Sequence, residues 1–243
     1  MPFITQGKTN WKFLAIVIIL AVIVGGGAFW CSSKKVEQYQ LPETKKLEIP
    51  KEFVASAIWD CGEIKGCVEK WHNCGSLDCV TNVMEQYNAS SGAIDFTTKL
   101  GSDLGYLNQF QEMGKIDLGT VVFPFRANTN EAYYLINGSP ILISTEISQD
   151  AEQKLITEME KDPLYSEIKN KYPDIFFWGF APQFVEKESL ANNNERFIFE
   201  YRLVNGCRIC DTEYAAQIGF DFSSNGKFLE ITFLRIKKGK LEV

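Results

Sequence analysis

The sequence predicts an α+β domain carried behind an N-terminal transmembrane helix, and three observations predict it. Residues Phe13 to Ser33 carry no charge and are almost wholly apolar as far as Trp30. Residues 52–100 place apolar side chains at three- and four-residue steps, the period of a helix. Residues from Phe197 onward alternate, the period of a strand. Helices gathered early and strands late give α+β rather than repeated βαβ units. The expected boundaries are a short tail at 1–12, a spanning helix at 13–33, a linker at 34–51 and an extracytoplasmic domain at 52–243. That domain divides into a helical cysteine-rich part, 52–100, and a mainly β part, 101–243, with a helix at 148–172.

The apolar run comes first. A bilayer core of ~30 Å needs about 20 such residues at helical rise. Trp11 and Trp30 sit at its two ends, where indole rings prefer the headgroup level. A cleaved signal peptide needs small residues before the cut, but Ala28-Phe29-Trp30 precede Cys31. The same bulk argues against lipid attachment at Cys31, and no early acidic residue supports a pilin-like start. The lipid bilayer is therefore the expected partner of residues 13–33. The linker that follows is polar, with Pro42 and Pro50.

In the helical part, Phe53, Ala57, Ile58 and Cys61 share one face, so a first helix is expected there. Cys67, Val68 and Trp71, then Leu77, Val80, Val83, Met84 and Tyr87, mark two more around Asn73-Cys74-Gly75-Ser76. Ser90 or Ser91 caps the next, which runs toward Leu100 and Gly101. Strand signals begin at Gly119–Phe125 and continue in Ala132–Ile136 and Pro140–Ser144, around the hairpin signal Asn137-Gly138. A charged helix starts at Ser148 or Asp150 and carries Leu155, Ile156 and Met159; Pro163 restarts it and Pro173 closes it. Phe197, Phe199, Tyr201 and Leu203, then Ile218, Phe220 and Phe222, then Leu229, Ile231 and Phe233 mark a three-stranded antiparallel meander. A curved antiparallel sheet wrapped on a helix, the topology of cystatin-like or nuclear-transport-factor-like folds, is one arrangement that fits. The run from Phe123 to Asn130 with Asn137-Gly-Ser-Pro140 resembles stretches of bacterial envelope proteins, and that resemblance implies no activity.

The cysteines bear on compartment. Lysine counts on the two sides of the run lean toward a cytoplasmic domain, but long domains translocate largely regardless of charge. Cys61, Cys67, Cys74, Cys79, Cys207 and Cys210 are even in number and closely spaced, as an oxidising compartment allows. Nearest-neighbour pairing is the simplest of 15 connectivities. Zinc is the competing reading, although only 207–210 has the Cys-x2-Cys knuckle form. A formal charge of −6 argues against a nucleic-acid partner, and the basic end at Arg235–Lys240 is too short to reverse it.

Cys207-Arg-Ile-Cys210 is the sharpest candidate for chemistry, since Cys-x-x-Cys serves thiol oxidoreductases when the first thiolate sits at a helix N-terminus. Here it lies between two strand patterns, where a disulfide closing a hairpin is the simpler role. His72 is the one histidine, which leaves no second imidazole for acid–base work. No phosphate loop, nucleophile elbow or His-Glu-x-x-His appears, so no catalytic residue, cofactor or resident metal is expected. Phe176, Phe177, Trp178 and Phe180 form an aromatic run that is either buried on both faces or offered to a protein partner. The expectation is a membrane-anchored, extracytoplasmic, non-catalytic binding module that meets a protein or other component of the cell envelope. The alternative is an envelope thiol-disulfide oxidoreductase using Cys207 and Cys210, and a zinc-stabilised cytoplasmic domain is a third.

Overall fold

The computed structural model describes residues 56–101, 104–126 and 130–239. The apolar run at 13–33 and the linker at 34–51 lie outside the described residues. Among the described residues no helix is long and apolar enough to cross a membrane.

Three short helices open the domain: α1 (Cys67–His72), α2 (Leu77–Gln86) and α3 (Ser91–Leu100). Local chemistry sets their ends. The Ser76 hydroxyl accepts from the Cys79 amide at 3.3 Å and the Ser90 hydroxyl from the Ala93 amide at 3.0 Å, satisfying donors that the first turn leaves free. Gly101 closes α3 at φ 68°, a conformation that favours glycine. Disulfides Cys61–Cys67 and Cys74–Cys79 bracket α1. Between them Trp59, Trp71 and Tyr106 pack ring against ring, with centroids 5.2 to 5.6 Å apart.

The first expected helix is absent in its described part. Residues 56–66 form turns and extended chain, and the Trp59 amide donates to the Leu107 carbonyl at 2.9 Å. Ala57 and Trp59 are buried while Ile58 points out, an alternation hidden within the three- and four-residue spacing. The bridge from Cys61 to Cys67 turns the chain where a helix would have continued.

The aromatic packing has a consequence in alkali. Burial, with the Asp60 carboxylate second, pushes the Tyr106 phenol up to about 12, although the amides of Gly62 and Cys61 oppose the shift. The folded phenol thus keeps its proton to higher pH than an unfolded one. Its contribution to stability is full below about pH 10 and is lost as pH rises through about 12. Tyr201, wholly buried, is raised too, so the two act together. Denaturation melts across pH 8 to 12 should show stability flat to about 10 and then falling. Replacing Tyr106 with Phe should flatten part of that fall, and an unchanged profile would refute this origin.

Two antiparallel sheets follow, where one curved sheet on a helix was expected. The first contains β1 (Tyr106–Gln111), β2 (Asp117–Val122), β3 (Glu131–Ile136) and β4 (Leu142–Ser144), in that order. Helices α4 (Gln149–Met159) and α5 (Tyr165–Lys171) intervene. The second contains β5 (Ile175–Phe177), β6 (Gln183–Ser189), β7 (Glu195–Asn205), β8 (Asp211–Phe222) and β9 (Phe228–Lys238). Its order is β5-β7-β8-β9, and β6 pairs with the opposite end of β7 from β5. The sheets separate because β4 is only three residues long, and the 30 residues between it and β5 turn into the two helices.

One continuous core joins them. Leu155, Met159 and Ile168 from α4 and α5 meet Phe197, Phe199, Tyr201, Ile218 and Phe220, together with Leu118 and Leu135 of the first sheet. Burying such side chains contributes about 1.5–3 kcal/mol each. The loops also interlock: the Ser139 amide donates to the Gly226 carbonyl at 2.9 Å, and the Phe228 amide donates to the Ser139 carbonyl at 3.0 Å. The Asn137-Gly138 turn is therefore part of a five-residue loop, 137–141, rather than a tight two-residue hairpin. The β7–β8–β9 meander stands as its alternation predicts, with register shifts at Arg202/Val204, Gln217/Ile218 and Asp221/Phe222. A bulge between Asp221 and Phe222 leaves Leu229 outside the ladder and exposed, not on the Ile231 face.

Candidate functional site

The outer face of the second sheet is polar, and its charges are spent on one another. Arg196 donates to both carboxylate oxygens of Asp221 at 2.6 Å, its stem lying over Gly219 where a Cβ would collide with it. Glu200 accepts from Gln217 at 2.7 Å and from Lys237 at 2.8 Å. Asp117, in the first sheet, accepts from the amides of Met113 and Gly114 and from Asn137. Each buried carboxylate has its donors in place, and these are the partners of a structural pin. His72 is exposed and stacks on Phe125, ring centroids 6.1 Å apart. No group of three or more His, Cys, Asp and Glu side chains that could hold a metal occurs among the described residues.

Among the described residues, the tip of the β7–β8 hairpin carries a cystine and an aromatic ledge at the surface. Gly206, at φ 71°, turns the chain out of β7, and its amide donates to the Asp174 carbonyl at 3.0 Å. Cys207 and Cys210 are joined by a disulfide that closes the turn. Asn205 donates to the Cys210 carbonyl at 2.9 Å, so the bridge and the last ladder bond brace the same few atoms. The two residues between the cysteines have nowhere to go but outward. Ile209 is 89% exposed, the most exposed large hydrophobic side chain among the described residues.

Pairing of β5 with β7 brings the aromatic run to this tip. Ile175 lies opposite Asn205, and Trp178 donates its amide to the Arg202 carbonyl at 2.8 Å. The run divides there. Phe177 is buried in the core against Tyr201 and leaves the set of candidate contact residues. Phe176 and Trp178 are half-buried, and Phe180 is 38% exposed. The rings of Trp178 and Phe180 lie 5.0 Å apart. The Arg208 guanidinium sits over the Trp178 ring, 4.8 Å from its centroid, in the cation–π range. Gly179 keeps this ledge close to the body: its carbonyl accepts from the Ile147 amide at 2.9 Å, and a Cβ there would press on that residue.

Sequence reasoning found the cysteines and the aromatic run but treated them apart, and it passed over Arg208 and Ile209. The signal was available, because the two residues between the cysteines sit at a hairpin tip, and connecting segments run over the surface. The Cys-x-x-Cys motif starts no helix; Asp211 follows it directly into β8. What the structure defines is a disulfide-stapled α+β domain of two interlocked antiparallel sheets with an aromatic, disulfide-closed hairpin tip. No protein-family model, curated protein or solved structure matches this chain.

Proposed function

We propose that this chain is a non-catalytic binding module, tethered to a membrane by residues 13–33 in an extracytoplasmic compartment, that meets a protein partner through the β7–β8 hairpin tip. The observation that carries the reading is Ile209, 89% exposed on a turn braced by a disulfide, beside the Trp178–Phe180 ledge capped by Arg208. Tryptophan and arginine dominate the energetic centres of protein interfaces. A turn already held rigid loses little freedom on docking, so more of the contact energy appears as affinity. Three disulfides support the oxidising compartment. The oxidoreductase reading has less support, because the motif lacks the helix N-terminus that lowers a thiolate pKa.

A photo-crosslinking residue placed at 209 in the full chain, in its own membrane, tests this. A discrete higher-mass adduct is expected from position 209, reduced roughly tenfold by Trp178→Ala, a loss typical of an interface anchor. The exposed but isolated Leu229 position should give none. Equal adducts from both positions, or none from 209, would overturn the reading.

A further inference from the structure

The three disulfides are not equivalent. Cys61 and Cys67 are wholly buried, and Cys74 is buried beside the half-buried Cys79. Cys210 is exposed and Cys207 is half-buried. We infer that Cys207–Cys210 is a thiol–disulfide exchange site, open to an external dithiol, while the other two bridges are structural. The inference does not depend on what docks at the tip.

Exchange needs a thiolate to reach a disulfide sulfur, so access selects both the bridge and the atom attacked. The thiolate of the incoming dithiol attacks Sγ of Cys210, the more exposed residue of the pair, forming a mixed disulfide and breaking the bond between the two cysteines. Cys207 departs as a thiolate and then takes a proton from water. The second thiol of the dithiol, deprotonated in turn, attacks the reagent's first sulfur, the one bonded to Cys210. That step closes the reagent into a cyclic disulfide and releases Cys210 as a thiolate, which is protonated. Two electrons and two protons have passed from the dithiol to the protein. The ladder does not run through the bridge: β7 and β8 pair from Glu195–Phe222 to Val204–Asp211, and the Gly206 amide donates to the Asp174 carbonyl. What changes is the turn that holds Arg208 over Trp178.

The test uses the full chain in detergent micelles, titrated with dithiothreitol, blocked with N-ethylmaleimide and mapped by peptide mass spectrometry. Cys207 and Cys210 should alkylate at a roughly tenfold lower dithiothreitol concentration than Cys61, Cys67, Cys74 or Cys79. Labelling of any of those four at the same or lower concentration overturns the assignment, as does resistance of Cys207 and Cys210 throughout. Glutathione in place of the dithiol, quenched early, should leave its adduct mainly on Cys210. A majority on Cys207 would overturn the direction of attack.

Discussion

Phe199→Ala is expected to destabilise the domain by about 3–5 kcal/mol, the range for a large buried aromatic whose site cannot collapse. Phe199 has no exposed surface, and its ring meets Phe184 at 5.4 Å, Phe220 at 5.5 Å and Tyr133 at 5.9 Å. Those partners come from β6, β8 and β3, so one side chain joins both sheets. The void left by the substitution would have walls on three different strands, each tied into a ladder that resists inward movement. The shift should appear as a lower denaturant midpoint at unchanged slope. A loss under about 1 kcal/mol would mean that the sheets do not share this core. Phe199→Leu, which keeps much of the volume, should recover over half of the loss.

Asp117→Ala is expected to cost about 2–3 kcal/mol with no cavity to speak of. Its carboxylate is buried between the β1–β2 and β3–β4 loops and accepts from Met113 at 2.8 Å, Gly114 at 3.3 Å and the Asn137 side chain at 2.7 Å. Removing it takes a charged acceptor away from donors that stay behind, and stranded donors cost more than the bond itself was worth. Asn137, held at φ 70°, would also lose the contact that favours that conformation. Asp117→Asn should cost less, since one oxygen can still serve the two amides. A midpoint for Asp117→Ala within about 0.5 kcal/mol of the parent would remove Asp117 from the list of pins.

How far these features were legible varies with the kind of signal. The alternation from Phe197 to Leu203 and from Ile218 to Phe222 survives in β7 and β8, because long strands repeat their pattern often enough to stand out. Ser90 was readable as a cap because its hydroxyl acts within three residues of itself. β1 was not readable: Tyr-Leu-Asn-Gln-Phe-Gln carries few β-branched residues, and its strand form comes from pairing with β2. Leu229 was placed on the wrong face because a bulge resets the alternation without marking the sequence. The site shows the same divide. Cys207 and Cys210 declare themselves by spacing, but the ledge at Trp178 joins them only through β5, a strand of three residues whose partner lies some way along the chain.

Ser139 donating to one side of the β8–β9 turn and accepting from the other makes that turn a clasp. A chain cut between β4 and α4 would release a front half whose Ser139 loop has nothing to grip, and a back half whose clasp is empty. Neither half should therefore persist alone, and a nick in that region is expected to dissolve the whole domain at once rather than shed a lobe.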